Sequence, residues 1–316
     1  MGTQVAQLSA WNRTRGVKAL RLVETTNLSR EDWLQVRRAG IGGSDIAGIL
    51  GISPFSTPLE VYAEKVMEIQ SEESEAMHWG NILEPVIASE FALRHPEYRV
   101  EAVNAVLQDQ DVPHFLTNVD RLLIGSEANA ILEVKNTSEY LRKLWEDENT
   151  PDYYMTQAQW YMGVAGLPCA WVAVLIGGNK YVERYIKRDD DLIAILRNRA
   201  DEFWQNNVLA GVAPEPTAKD KDILNKIFTS TYGETVDLPE GTAALCTDLL
   251  NINEKIKDGT QLKEYFQNRL KHLLGNVEVG YVSDRFEVYW APDKNGTRRF
   301  RLKEVVSKTT ETTKTA

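Results

Sequence analysis

The chain has 316 residues, is 43% hydrophobic and 26% charged, and carries a formal net charge of −10. That balance suits a globular protein of one large or two ordinary domains, and it speaks against a generic nucleic-acid binder, which is usually basic. Two cysteines, Cys169 and Cys246, are too few for a disulfide framework or for the thiolates of an iron–sulfur cluster.

No apolar run reaches membrane-spanning length, and the first residues lack the basic-then-apolar pattern of a secretory leader, so a cytoplasmic location is expected. The charge is uneven. Residues 1–214 carry 20 Lys/Arg against 30 Asp/Glu, whereas residues 215–316 carry 16 of each. DNA contact must therefore come from local basic clusters, or from acids neutralised by bound cations.

In chain order, residues 1–28 are mixed and predict no clear element. SREDWLQV predicts a helix capped by Ser29, with Glu31 and Asp32 in its first turn. RRAGIGGSDIAGILGISPF predicts a glycine-broken loop, a short helix over about 45–50 and a turn at 51–54. TPLEVYAEKVMEI and MHWGNILEPVIASEFALRH have apolar residues three and four apart, the helical period. YRVEAVNAVLQD, HFLTNVDRLLIG, NAILEVKNTS and CAWVAVLIGG are short apolar runs between polar turns and predict strands. DYYMTQAQWYMGVAG predicts a helix between the third and fourth of these. DDDLIAILRNRADEFWQNNVLAG predicts another, closing at Gly211. The order implies one α/β domain: a central mixed sheet flanked by helices.

VAPEPTAKDKD marks a junction. Beyond it lie a helical segment, interrupted around Asp258–Gly259, and a hairpin across Asn295–Gly296. The expected divisions are an N-terminal segment at 1–28, the core at 29–211, a helix-plus-hairpin extension at 212–306, and a disordered tail at 307–316. The stretch Lys294–Lys303, with five basic residues and one Phe, is a candidate for a nucleic-acid backbone contact.

The chemistry centres on ILEVK. Alternation in a strand puts Glu133 and Lys135 on one side and Val134 on the other. An antiparallel neighbour joined through RLLIGSEANA would set Asp120 beside Glu133. Two carboxylates and a backbone carbonyl suit Mg²⁺, a hard cation that prefers oxygen and retains several waters. A lysine on the same side could orient or deprotonate a water, or offset charge on a phosphate. Taken alone the triplet also describes an exposed Glu/Lys strand, Glu84 a first-turn glutamate, Gln157 and Gln159 surface glutamines, and His78 a packed or solvated histidine.

Together these residues resemble a family. Gly80–Glu84, Asp120, Glu133-Val134-Lys135 and Gln157-x-Gln159 follow the order of the PD-(D/E)XK nuclease superfamily. Trp33-x-x-x-Arg37, the IGGSD of 41–45, the WGNILE of 79–84 and the YMTQAQ of 154–159 resemble, more narrowly, the YqaJ-like viral recombinases related to lambda exonuclease, over roughly residues 29–210.

The resemblance implies that Asp120, Glu133 and the Val134 carbonyl hold Mg²⁺ (or Mn²⁺), that Lys135 is the catalytic lysine, and that Glu84 positions the metal or its water. It implies that Arg37, Ser44 and Gln157 hold a terminal 5′-phosphate. The family's serine two residues before the first acid is Asn118 here, whose amide can still donate, and Val119 stands where the superfamily has its proline. The implied activity is 5′-to-3′ digestion of one strand of duplex DNA, leaving 3′ single strands for phage-type recombination in a bacterial host cytoplasm. The implied assembly is a trimeric ring, and the implied partner is a single-strand annealing protein. A site-specific endonuclease and a non-catalytic DNA-end binder are the alternatives.

Overall fold

In the stretch where the sequence predicts no element, Ala10–Arg15 forms helix α1 and Leu20–Glu24 forms strand β1. The computed structural model describes residues 10–69, 74–229, 233 and 235–305, so the expected tail at 307–316 lies outside them. The chain divides into two units, Met1–Ser230 and Thr231–Ala316.

Helix α2 (Arg30–Arg38) starts where Ser29 accepts a hydrogen bond from the Asp32 amide, and α3 (Gly43–Ile49) follows the glycine-broken loop. Helix α4 (Pro58–Val66) is capped by Thr57 and has proline in its first turn, where no amide donor is needed. Helix α5 (Glu75–Arg94) contains Pro85.

The predicted strands then divide further than the sequence indicates. YRVEAVNAVLQD splits into β2 (Arg99–Ala102) and β3 (Ala105–Gln108), which belong to different sheets. Asn104 between them has φ 48°, a left-handed conformation that asparagine tolerates. HFLTNVDRLLIG likewise splits into β4 (Leu116–Thr117) and β5 (Arg121–Ile124), so Asp120 lies in the link between sheets rather than at a strand's end. Strands β1, β3 and β4 form a small antiparallel sheet.

The main sheet is five-stranded, in the order β2-β5-β6-β7-β8. Its members β6 (Ala130–Thr137), β7 (Cys169–Ile176) and β8 (Lys180–Lys187) follow in sequence. The pair β6–β7 is parallel and the others antiparallel, which makes the sheet mixed as expected. Strand β8 was not anticipated. It returns through Gly177 and Gly178, both at positive φ (60° and 76°), where glycine carries no side-chain penalty.

Helix α6 (Asp152–Ala165) makes the crossover between the parallel strands, and α7 (Asp190–Phe203) continues into a π-helical turn at Trp204–Leu209. Both faces of the sheet are covered. Ile87, Ala88 and Phe91 of α5 pack with Leu123, Leu132, Val134 and Ala173 on one side. Ala158 and Met162 of α6 join Ile131, Val172 and Val174 in the cluster on the other. Ile131 and Leu132 are both fully buried, each burial stabilising by roughly 1.5–3 kcal/mol. Helix α8 (Lys221–Ile227) ends this unit.

In the second unit, α9 (Ala243–Leu274) is one continuous helix of 32 residues. The expected interruption at Asp258–Gly259 is absent, because a glycine with open space around it is tolerated inside a long helix. Strands β9 (Val279–Val282), β10 (Phe286–Pro292) and β11 (Arg298–Glu304) form an antiparallel sheet, one strand more than the predicted hairpin. Among the described residues, no helix is long and apolar enough to cross a membrane.

Candidate active site

Strand β6 brings charge into the core. Its alternation sends Leu132 and Val134 toward α5, and Glu133 and Lys135 toward α6. The β5–β6 register pairs Arg121 with Leu132, so one residue further on Asp120 comes opposite Glu133. Asp120 Oδ2 accepts a 2.8 Å hydrogen bond from the Val134 amide, which fixes the carboxylate against β6.

Glu133 is 3% exposed. Its Oε1 meets Lys135 Nζ at 2.5 Å and accepts from Gln157 Nε2 at 2.8 Å. Its Oε2 is buried without a hydrogen-bond donor. Burial, and then the charge of Glu133, push the Asp120 carboxyl well above the usual range. Burial also raises Glu133, more than Lys135 lowers it. For Lys135 the balance reverses: burial disfavours the ammonium, but Glu133 and Asp120 outweigh it and raise its pKa.

Two repelling carboxylates with a buried acceptor left over make a donor set suited to a hard divalent cation. Asp120, Glu133 and the Val134 carbonyl are the groups that could hold it. Among the described residues no group of three or more His, Cys, Asp or Glu side chains is placed to bind a metal, so water would complete such a site. Glu84, on α5, is tied instead to Arg121, whose Nη1 donates to Glu84 Oε1 at 2.5 Å and to the Asp120 carbonyl at 2.7 Å. Its charge still contributes to raising both Asp120 and Glu133.

A second cluster gathers around Arg37 at the end of α2. Arg37 Nη2 lies 3.3 Å from Ser44 Oγ, 2.8 Å from Asp45 Oδ1 and 3.3 Å from Glu64 Oε1, and the guanidinium sits 5.1 Å from the Trp33 ring. Behind it the Lys65 side chain is fully buried, with Nζ 2.7 Å from Asp45 Oδ2 and 2.9 Å from the Arg37 carbonyl. Burial alone would raise Asp45, but Lys65 and Arg37 hold it below the usual carboxylate range. Burial likewise opposes the Arg37 charge, and Asp45 and Glu64 more than restore it. These contacts all run through Nη2, which fixes the guanidinium in place at the end of α2.

The two clusters meet at Tyr161. Helix α3 crosses α6 so closely that a Cβ on Gly43 would lie 2.1 Å from Tyr161 Cε1. The Tyr161 hydroxyl accepts from Gln157 Nε2 at 2.7 Å, and the same amide holds Glu133. Burial, then the charges of Glu133 and Asp120, raise the phenol's pKa well above its usual value.

The structure thus brings Asp120, Glu133, Lys135 and Gln157 together, and sets Arg37 with Ser44 nearby. Gln157 bonds to the carboxylate side, while Ser44 and Asn118 are exposed. Gln159 is a buried strut: its amide donates to the Lys187 carbonyl and its oxygen accepts from the Asp189 amide. His78 is exposed beside Trp79. Sequence reasoning gave no role to Tyr161, Asp45, Lys65 or Arg121. Lys65 carried a signal, since it shares the apolar face of α4 with Val61 and Tyr62.

A family model described as the YqaJ-like viral recombinase domain matches residues 32–168. The protein YqaJ of Bacillus subtilis (strain 168) is 36% identical over 278 residues, covering 86% of each chain. Among solved structures, the alkaline exonuclease LHK-Exo from Laribacter hongkongensis is 18% identical with a TM-score of 0.48, over 63% of this chain and 100% of that one. A phage-related exonuclease from Haemophilus somnus 129PT is 12% identical with a TM-score of 0.42, over 54% and 96%.

Proposed function

The chain belongs to the YqaJ-like viral recombinase family, and on that premise we propose that it is a metal-dependent deoxyribonuclease digesting one strand of linear duplex DNA from its 5′ end. The observation that carries the reading is Glu133: a buried carboxylate beside Asp120, clamped on one oxygen by Lys135 and Gln157, with its other oxygen lacking a donor. A buried carboxylate oxygen left without a donor is costly, and a bound cation would offset that cost.

Mg²⁺ (or Mn²⁺) held by Asp120, Glu133 and the Val134 carbonyl would polarise a phosphoryl oxygen and acidify a bound water. The protein's own groups do the rest. Lys135 sets a positive charge beside the carboxylates, where it offsets charge on the scissile phosphate or holds the attacking water by hydrogen bonds. Gln157 fixes the Glu133 carboxylate through one amide hydrogen and reaches Tyr161 through the other. Glu84, steadied by Arg121, would help position the metal or its water.

Arg37 and Ser44 take the terminal 5′-phosphate, with Asn118 as a further donor. The phosphate role expected of Gln157 is not kept, because both its amide hydrogens go to Glu133 and Tyr161. An arginine already held in place through Nη2 loses little further freedom when it grips an anion. The proposal extends to a homotrimeric ring around the duplex, and to a single-strand annealing protein that takes up the 3′ strand left behind. These last two parts rest on family membership, and sedimentation of the free protein tests the trimer.

The test compares linear duplexes bearing a 5′-phosphate, linear duplexes bearing a 5′-hydroxyl, and closed circles, each with Mg²⁺ and with EDTA. The expected result is digestion of linear duplex only, faster from the 5′-phosphate, and none in EDTA. Cleavage of closed circles, or undiminished activity in EDTA, would overturn the assignment.

A further inference from the structure

The C-terminal sheet has two unlike faces. Strand alternation and the β10–β11 register place Val288, Trp290, Phe300 and Leu302 on one of them. The last turn of α9 meets part of that face: Lys271 Nζ lies 6.0 Å from the Trp290 ring and 5.8 Å from the Phe300 ring, and Leu274 packs where a Cβ on Gly280 would be, while Leu302 stays 51% exposed. The opposite face carries Tyr281, Tyr289, Arg299, Arg301 and Lys303, together with Glu287.

Tyr281 is 73% exposed, although a tyrosine on a sheet is usually packed against a neighbour. Tyr281 pairs with Glu287, and so stands diagonal to Tyr289 on the next strand. Arg301 lies directly opposite Tyr289 in the register, with its guanidinium 4.5 Å from that ring. Arg299, Arg301 and Lys303 are exposed and recur at every second position of β11, so their charges step by about 6.8 Å along an extended strand. Two acids temper them: Arg299 meets Asp293 at 2.9 Å and Lys303 meets Glu287 at 3.4 Å.

We infer that this face binds single-stranded nucleic acid. An open Tyr281 ring, with Tyr289 half-buried under Arg301 and hydrogen-bonded to Glu287, lies next to a line of cations. Together they match what a single strand presents: unpaired bases that stack, and a backbone that needs counter-charge. A duplex keeps its bases stacked inside and would use only the cations. The cationic row sits on a chain whose net charge is −10, so it is a local feature rather than a consequence of overall charge. The inference stands apart from the nuclease reading, because it involves neither Glu133 nor Arg37.

The experiment measures fluorescence anisotropy of labelled oligo(dT) and of a blunt hairpin duplex with the full-length chain in EDTA, where nothing is digested. Tyr281→Ala combined with Tyr289→Ala should weaken oligo(dT) binding by about tenfold or more, the loss expected when stacked bases lose their ring. The same variant should leave duplex binding within about twofold, and Tyr281→Phe should restore most of the lost affinity for the single strand. Ultraviolet cross-linking of oligo(dT) to the unmodified chain should map to Tyr281 or Tyr289, a readout independent of how the variants fold. Equal losses for both ligands would reassign the face to backbone contact with duplex. Unchanged oligo(dT) binding, or cross-links confined to other residues, would overturn the inference and leave the face to a protein partner.

Discussion

The two units handle charge in opposite ways. In Met1–Ser230, α6 has 14 residues of which nine are buried, two of them glutamines, and the strand it packs against buries Glu133. In Thr231–Ala316, α9 has 32 residues of which none is buried; Leu249 and Phe266 are 60% and 53% exposed. Where neighbours surround a carboxylate, its protonation and orientation are set by a few named contacts. Where water does, charges are screened and contribute through their number and spacing. The first unit can therefore hold a precise catalytic geometry, and the second can offer a surface.

The largest expected effect is at the buried pair. Lys135→Ala removes the cation that clamps Glu133 and should lower the rate of duplex digestion by roughly 10²–10⁴-fold, read in a single-turnover assay. A rate within a few-fold of the parent would put the chemistry elsewhere.

The same truncation in the two units should then give unlike costs. Leu132→Ala should destabilise by roughly 2–5 kcal/mol, whereas Leu249→Ala should stay within about 0.5 kcal/mol, by urea midpoints. Similar losses would mean that α9 is covered in solution. Glycines sharpen the contrast at a smaller scale. Gly43→Ala forces a methyl against Tyr161 and should cost about 1–3 kcal/mol, while Gly259→Ala meets open space and should stabilise α9 by up to about 1 kcal/mol.

The smallest effect is pH-dependent. Burial would raise Asp109, but Arg197 at 2.6 Å and the amides of Asp111 and Val112 hold its pKa below the ordinary 3.8. A carboxylate depressed in the folded state stabilises it at neutral pH, and that stabilisation fades as pH falls below the ordinary value and through the lower folded one. The stability gap between the parent and Asp109→Asn should accordingly close at acid pH. A gap that stays constant from neutral to strongly acid conditions would show that the ion pair is not its source.

Much of the site was legible because strands obey a strict period. Alternation put Glu133 and Lys135 on one side. Asp120 does come across from Glu133, but through the β5–β6 ladder, because the RLLI of the expected RLLIGSEANA turn is itself strand β5. The sheet boundaries were not legible, because Asn104 and the Asn118–Asp120 link redirect the chain without a glycine or proline to announce it. Lys65 escaped notice because a lysine beside apolar residues ordinarily extends its stem and keeps its amine in water. Its burial depends on Asp45, twenty residues earlier, and no local pattern encodes that meeting. Tyr161 looked like one more aromatic on a core helix. Its part in joining Gln157 to the Arg37 side follows from the closeness of α3, which Gly43 permits.

The central claim is that Arg37 grips a 5′-phosphate while the Glu133–Lys135 centre cleaves beside it. Digestion rates of 5′-phosphorylated and 5′-hydroxyl duplex, measured in parallel for the parent and for Arg37→Ala, test that claim most directly. The account predicts a preference for the phosphate of about tenfold or more in the parent, as expected for loss of a charge-assisted contact, and none in the variant, with the slow 5′-hydroxyl reaction left in place. A variant that keeps the full preference would contradict it.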